Sequence, residues 1–180
     1  RVPALAAFTN YVISQPESGL TSEPWLVMAR FLAERGDLQT ALRAIGEAQA
    51  LQDPEVMEAD KLAGDLLLRS GQFTGANEAY AAVEEGGADD EQQRYLQRLI
   101  ETQVRLGRHT EALENLDRLG EAQADTLTAM LQRAEALNGL GQAREARDLL
   151  DRAVAEYPDN PTPYTLRART IVTSDGFMDD

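Results

Sequence analysis

Three groups of residues carry types and spacings that could do chemistry. His109 is the only histidine, so general-base work or imidazole metal ligation would have to fall on it. It stands two residues after Gly107, and the matching residues in the rest of the chain are Leu38, Phe73 and Ala143. A half-buried packing histidine at a helical turn is therefore the expected role. The run Glu84-Glu85-Gly86-Gly87-Ala88-Asp89-Asp90-Glu91 holds carboxylates enough for a weak calcium loop. The same carboxylates favour the N-terminus of a following helix, and a solvated connection is the reading adopted. The third group is Arg94, Arg98 and Arg105, spaced by four and seven. On a helix these share one side, where guanidinium groups can hold a carboxylate.

Composition removes several classes of function. The chain has 180 residues, 43% of them hydrophobic, and no cysteine. That is enough apolar content for one globular domain, and it excludes disulfides, thiolate metal sites and a cysteine nucleophile. Seventeen basic against 31 acidic residues give a net charge of −14, which disfavours nucleic acid and anionic membrane as partners. No apolar run approaches the roughly 18 residues of a membrane helix. A glycine-rich phosphate loop, a metalloprotease helix and an EF-hand ligand series are all missing. No catalytic residue, cofactor site or metal site is expected, and the chain reads as a non-enzyme.

The elements that must position any site follow from a repeat. Gly36, Gly71, Gly107 and Gly141 each end an apolar stretch, at spacings of 35, 36 and 34 residues. Five residues after them stand Ala41, Ala76, Ala112 and Ala146, and four further on Ile45, Tyr80, Leu116 and Leu150. Seven residues before them stand Ala29, Gly64, Ile100 and Ala134. Trp25, Met28, Ala29 and Leu32 form a helical stripe. Gly36 stops that helix by taking the left-handed conformation cheaply, and Asp37 can cap the next one. Each unit thus predicts two helices. Small residues let paired helices approach closely, and one hairpin cannot bury its apolar face alone, so stacking is required.

This pattern resembles the tetratricopeptide repeat family. Trp25, Met28, Ala29 and Leu32 match the family's first helix, and Ala146, Leu150 and Pro158 match its second. The resemblance implies an all-α, right-handed α-solenoid of stacked antiparallel helix hairpins. Four units are expected, at about 22–55, 57–88, 93–124 and 127–160. Three residues depart from the pattern: Asp60 replaces an aromatic, while Gln103 and Arg133 replace apolar residues. Residues 3–14 show second-helix spacing through Ala4, Phe8 and Pro16, so they are assigned to a preceding unit whose first helix is absent. The chain opens at Arg1 without a methionine, and further repeats are expected before it. Residues 162–173 are expected as a capping helix or the start of a fifth unit, with Tyr164, Ala168 and Ile171 inward and Thr165, Arg167, Arg169 and Thr170 toward water. Trp25 and Tyr164 are expected as core aromatics.

Charge then separates the two kinds of helix. The five first-type helices hold ten basic and seven acidic residues, a net of +3, which leaves −17 for the remainder. By resemblance the first helices line a concave surface, so a locally basic groove is expected, with Arg30, Lys61, Arg94, Arg98 and Arg105 as its partner-binding residues. The competing expectation is that these arginines pair with Asp65, Glu101 and Glu135 and bind nothing. The family's clamp for chaperone C-termini is not expected, because Leu26, Arg30 and Leu62 stand where lysine and asparagines are needed. The function that follows is a protein-interaction scaffold whose groove takes a protein or peptide, such as an acidic segment or a chain terminus. Two further readings are self-association into homo-oligomers and service as the repeat region of a larger enzyme such as a transferase.

Overall fold

A computed structural model describes residues 10, 14, 21–52, 56–83 and 90–174. The chain falls into two compact units, Arg1–Val83 and Glu84–Asp180. Regular structure among the described residues is helical throughout. The first unit holds α1 (Glu23–Glu34), α2 (Leu38–Ala50), α3 (Val56–Arg69) and α4 (Phe73–Val83). The second holds α5 (Asp90–Leu106), α6 (His109–Leu116), the single turn α7 (Glu121–Ala124), α8 (Leu127–Gly139), α9 (Ala143–Glu156) and α10 (Pro161–Ser174). Residues 3–14 lie outside the described residues except Asn10 and Ser14, between which the Ser14 amide donates to the Asn10 carbonyl at 3.0 Å. The Glu84–Asp89 part of the acidic run also lies outside them.

The four glycines build one turn four times. Gly36, Gly71, Gly107 and Gly141 have φ of 78°, 74°, 73° and 76°, a region that costs any residue with a Cβ. The glycine amide donates three residues back, from Gly36 to Ala33 at 3.0 Å and from Gly141 to Asn138 at 3.0 Å. The next amide reaches back five, from Asp37 to Leu32 at 3.0 Å and from Gln142 to Leu137 at 2.9 Å. This bond pair satisfies carbonyls that the helix end would orphan. The second helix begins at once. The amide of each repeat alanine makes its first bond, Ala41 to the Asp37 carbonyl and Ala146 to the Gln142 carbonyl. The Asp37 carboxylate also accepts from the Thr40 amide at 3.3 Å.

Burial follows the same register. Ala41, Ala76, Ala112 and Ala146 are fully buried, as are Ala29, Ile100 and Ala134. Gly64 sits under the Tyr80 ring, so close that a Cβ there would lie 2.5 Å from Tyr80 Cε1. The Tyr80 hydroxyl donates to Asp65 at 2.6 Å, which fixes the ring from its far end. His109 has a comparable place in the second unit. It is half-buried and lies against the Gly139 backbone, where an added Cβ would collide with its ring. The packing role read from its position is what the structure gives it.

The departures from the repeat pattern are each met by a polar partner on or just after a second helix. Asp60 accepts from Gln49 of α2 at 2.7 Å. Buried Gln103 accepts from Asn115 of α6 at 3.0 Å. Arg133 pairs with Asp117, just past α6, at 2.8 Å. A polar side chain at an apolar station is tolerated when its hydrogen-bonding capacity is met.

The orientation expected of α10 is corrected by the structure. Pro163, Leu166 and Thr170 are buried, whereas Tyr164, Ala168 and Ile171 are exposed. Tyr164 is therefore not a core aromatic; it is 44% exposed. Thr170 can be buried because its hydroxyl donates to the Leu166 carbonyl at 2.9 Å and accepts from Asn138. The helix thus turns Pro163, Leu166 and a satisfied hydroxyl inward and leaves Tyr164, Ala168 and Ile171 out.

Two glycine substitutions in the first unit should have opposite signs. Gly64→Ala should destabilise by about 1–3 kcal/mol, because the pinned Tyr80 ring cannot yield the space. Gly46→Ala, in α2 with nothing within 4 Å of the added methyl, should stabilise by about 0.5–1 kcal/mol through helix propensity. Urea midpoints of the two variants check both. Equal effects would contradict the packing described.

Candidate functional site

The five cations nominated from sequence fall into two groups, one in each unit. In the first, Lys61 is only 8% exposed. Its ammonium lies 2.7 Å from Glu58 Oε1, and Arg30 reaches the other oxygen of the same carboxylate at 3.7 Å. Leu26, at the first station of the rejected clamp, is buried. Lys61 is therefore largely enclosed in the first unit, with its charged end on Glu58. A lysine stem can be buried while its charged end reaches a partner.

The second group is more open. Arg94, Arg98 and Glu101 of α5 line a cavity of about 250 Å³ together with Gln97 of the same helix and Thr128 and Gln132 of α8. Arg98 lies 3.5 Å from Glu101, and Arg105 lies 3.8 Å from the other oxygen of that carboxylate. Arg94 forms no ion pair with a described residue. The side chains of Arg98 and Arg105 are 49% and 60% exposed. Pairs that exposed contribute about 0–1 kcal/mol, so an incoming carboxylate can replace Glu101 at little cost. Opposite the arginines, Gln132 Oε1 is buried with no hydrogen-bond partner. A buried acceptor left without a donor is costly, and a donor in the cavity would meet this one only after the Gln132 side chain turns. The arrangement can therefore take a group that combines negative charge with an N–H or O–H.

Thr128 and Gln132 were not nominated from sequence. They fall at the same stations of α8 that Arg94 and Arg98 occupy in α5, a shared register that could have found them. The pairing expected between these cations and the acidic residues holds for Glu101, whereas Glu135 meets Arg169, outside that set, at 2.6 Å. It fails for Asp65, which accepts from Tyr80 instead. Among the described residues no cluster of His, Asp and Glu is arranged to hold a metal, and no helix is long and apolar enough to cross a membrane.

Comparison with known proteins agrees with this architecture. Two models, each described as tetratricopeptide repeat, match residues 26–91 and 127–170. The chain belongs to the tetratricopeptide repeat family. Among solved structures it is similar to YrrB, described as a TPR protein with an unusual peptide-binding site. The identity is 20% and the TM-score 0.70, over 94% of this chain and 84% of that one. It is also similar to MamA from Desulfovibrio magneticus RS-1, at 17% identity and TM-score 0.72 over 86% and 85% of the two chains. A tetratricopeptide repeat protein from Parabacteroides merdae matches at 18% identity and TM-score 0.72, over 97% of this chain and 67% of that one. These likenesses establish an all-α solenoid fold. None of the curated proteins matches this chain.

If Glu101 only tethers its two arginines, Glu101→Gln should move the unfolding free energy by less than about 1 kcal/mol. Denaturant titration with an unchanged slope checks this. A loss above about 3 kcal/mol would make Glu101 a structural residue instead.

Proposed function

We propose that this chain is a non-catalytic interaction module that binds a protein or peptide partner through its first-type helices. The partner element favoured is an acidic segment or chain terminus. The α5–α8 cavity carries this reading, since it brings Arg94 and Arg98 together with the unsatisfied Gln132 acceptor. Of the five nominated cations, Arg94 and Arg98 are the principal contacts and Arg105 a flanking one. Arg30 and Lys61 serve chiefly to hold Glu58. Family membership supports the general role, because repeat hairpins present a preformed surface and lose little entropy when a partner binds.

Carboxylate recognition by arginine is directional and often bidentate. Its Coulomb part is screened by salt over about 10 Å at 0.1 M. Short fluorescent peptides ending in Asp or Glu with a free carboxyl terminus are the appropriate probes. Reversing Arg94 and Arg98 to Glu should weaken binding of the acidic peptides by about tenfold or more. It should also flatten the salt dependence of affinity. Arg30→Glu should do neither to that extent. Equal affinity of the wild type and the double variant would remove the assignment of this cavity.

A further inference from the structure

The second hairpin departs from the other three at the station that leads its first helix. Eleven residues before the turn glycines stand Trp25, Asp60, Leu96 and Met130. Trp25 packs against the core of its unit, and Leu96 and Met130 are buried. Asp60 is half-buried and brings a carboxylate where the others bring apolar bulk. A short side chain at this station leaves unfilled the volume that an aromatic or a long aliphatic group takes elsewhere.

That volume is open. A cleft of about 350 Å³ is lined by α2, α3 and α4, all within the first unit. Leu42 of α2, Ala63 and Leu67 of α3 and Ala79 of α4 give it apolar walls, and Asp60 and Glu78 are the charged groups among its lining residues. Neither carboxylate makes an ion pair with a described residue. The Gln49 amide donates to Asp60 at 2.7 Å, which satisfies one oxygen and leaves the charge in place. Arg43, the cation of α2, donates to Thr40 at 3.3 Å and does not line the cleft. Apolar walls with a few fixed polar groups are the usual form of a ligand site, and here both charges have the same sign.

We infer that this cleft receives an arginine side chain from a basic segment of a protein partner. The aliphatic stem lies against Leu42, Leu67 and Ala79, and the guanidinium meets Asp60, with Glu78 as the second carboxylate of the cleft. Long cationic side chains bury their stems along apolar surface in this way. A guanidinium suits the place better than an ammonium, because it is less strongly hydrated and offers several donors in a fixed plane. The net charge of −14 draws a basic partner toward the chain. The cleft is independent of the arginine-lined cavity of the second unit, whose partner has the opposite charge.

Fluorescence anisotropy of the full chain with short capped peptides of alternating alanine and arginine tests the inference. The arginine peptide should bind, and its citrulline counterpart, similar in shape but uncharged, should bind about tenfold more weakly or worse. Asp60→Asn, which keeps the size of the side chain, should lower affinity for the arginine peptide by about tenfold. The more exposed Glu78→Gln should lower it by a smaller factor. Asp60→Leu restores apolar bulk at the station that Leu96 holds in α5. It should weaken binding at least as much as Asp60→Asn, with the urea midpoint at or above that of the wild type. Glu47→Gln removes an exposed carboxylate of α2 outside the cleft and should leave affinity within about twofold. No binding of the arginine peptide overturns the inference. So do equal affinities for the two peptides, wild-type affinity in either Asp60 variant, or a loss in Glu47→Gln as large as in Asp60→Asn, which would assign the binding to net charge alone.

Discussion

Close approach at the crossing of each helix pair is the constraint on which the rest of this structure depends. Ala29, Gly64 and Ala134 on first helices, and Ala41, Ala76, Ala112 and Ala146 on second helices, leave room for backbone and for one large side chain per hairpin. Ile45, Tyr80, Leu116 and Leu150 are those side chains, each no more than 1% exposed. The pairs are held by dispersion and by exclusion of water, both of which fade quickly with separation. A first helix is therefore covered on one side by its own second helix, and α3, α8 and α10 also meet the second helix before them. Only the remaining side is available for charge, and the candidate site lies there in α5 and α8.

The polar substitutions show how much latitude the constraint leaves. Asp60, Gln103 and Arg133 stand at stations the repeat usually gives to apolar groups. Each is met by Gln49, Asn115 or Asp117 on or next to a second helix. What matters at these stations is that the hydrogen-bonding capacity of the buried group is satisfied. Gln132 is the informative contrast, because its buried oxygen has no such partner. It lies beside arginines whose own carboxylate is shared and loosely held.

Much of the architecture was legible in the residues because it is local. A glycine at C′ with a polar residue after it specifies a turn within five residues, and all four turns have the conformation expected. The station of each buried alanine follows from counting. What could not be counted was which face of a helix meets which neighbour. The apolar stripe of α10 was expected inward, yet Pro163, Leu166 and Thr170 are buried and that stripe is exposed. Amphipathicity identifies an apolar face but not whether its cover is present. The burial of Lys61 was hidden for a related reason, since charge at a first-helix station does not reveal a buried stem held by Glu58. Thr128 and Gln132 carry no charge, so charge counting passed over them.

The central claim is that each helix draws its stability from the neighbours that cover it. Native-state hydrogen exchange on a dilute, monomeric sample measures this helix by helix. The account predicts that amides in the middle of α8, flanked by α5, α6, α9 and α10, exchange slowest in the second unit. Those in the middle of α10, whose Ala168 face is exposed, should exchange much faster despite similar length. Equal protection of α8 and α10 would contradict it.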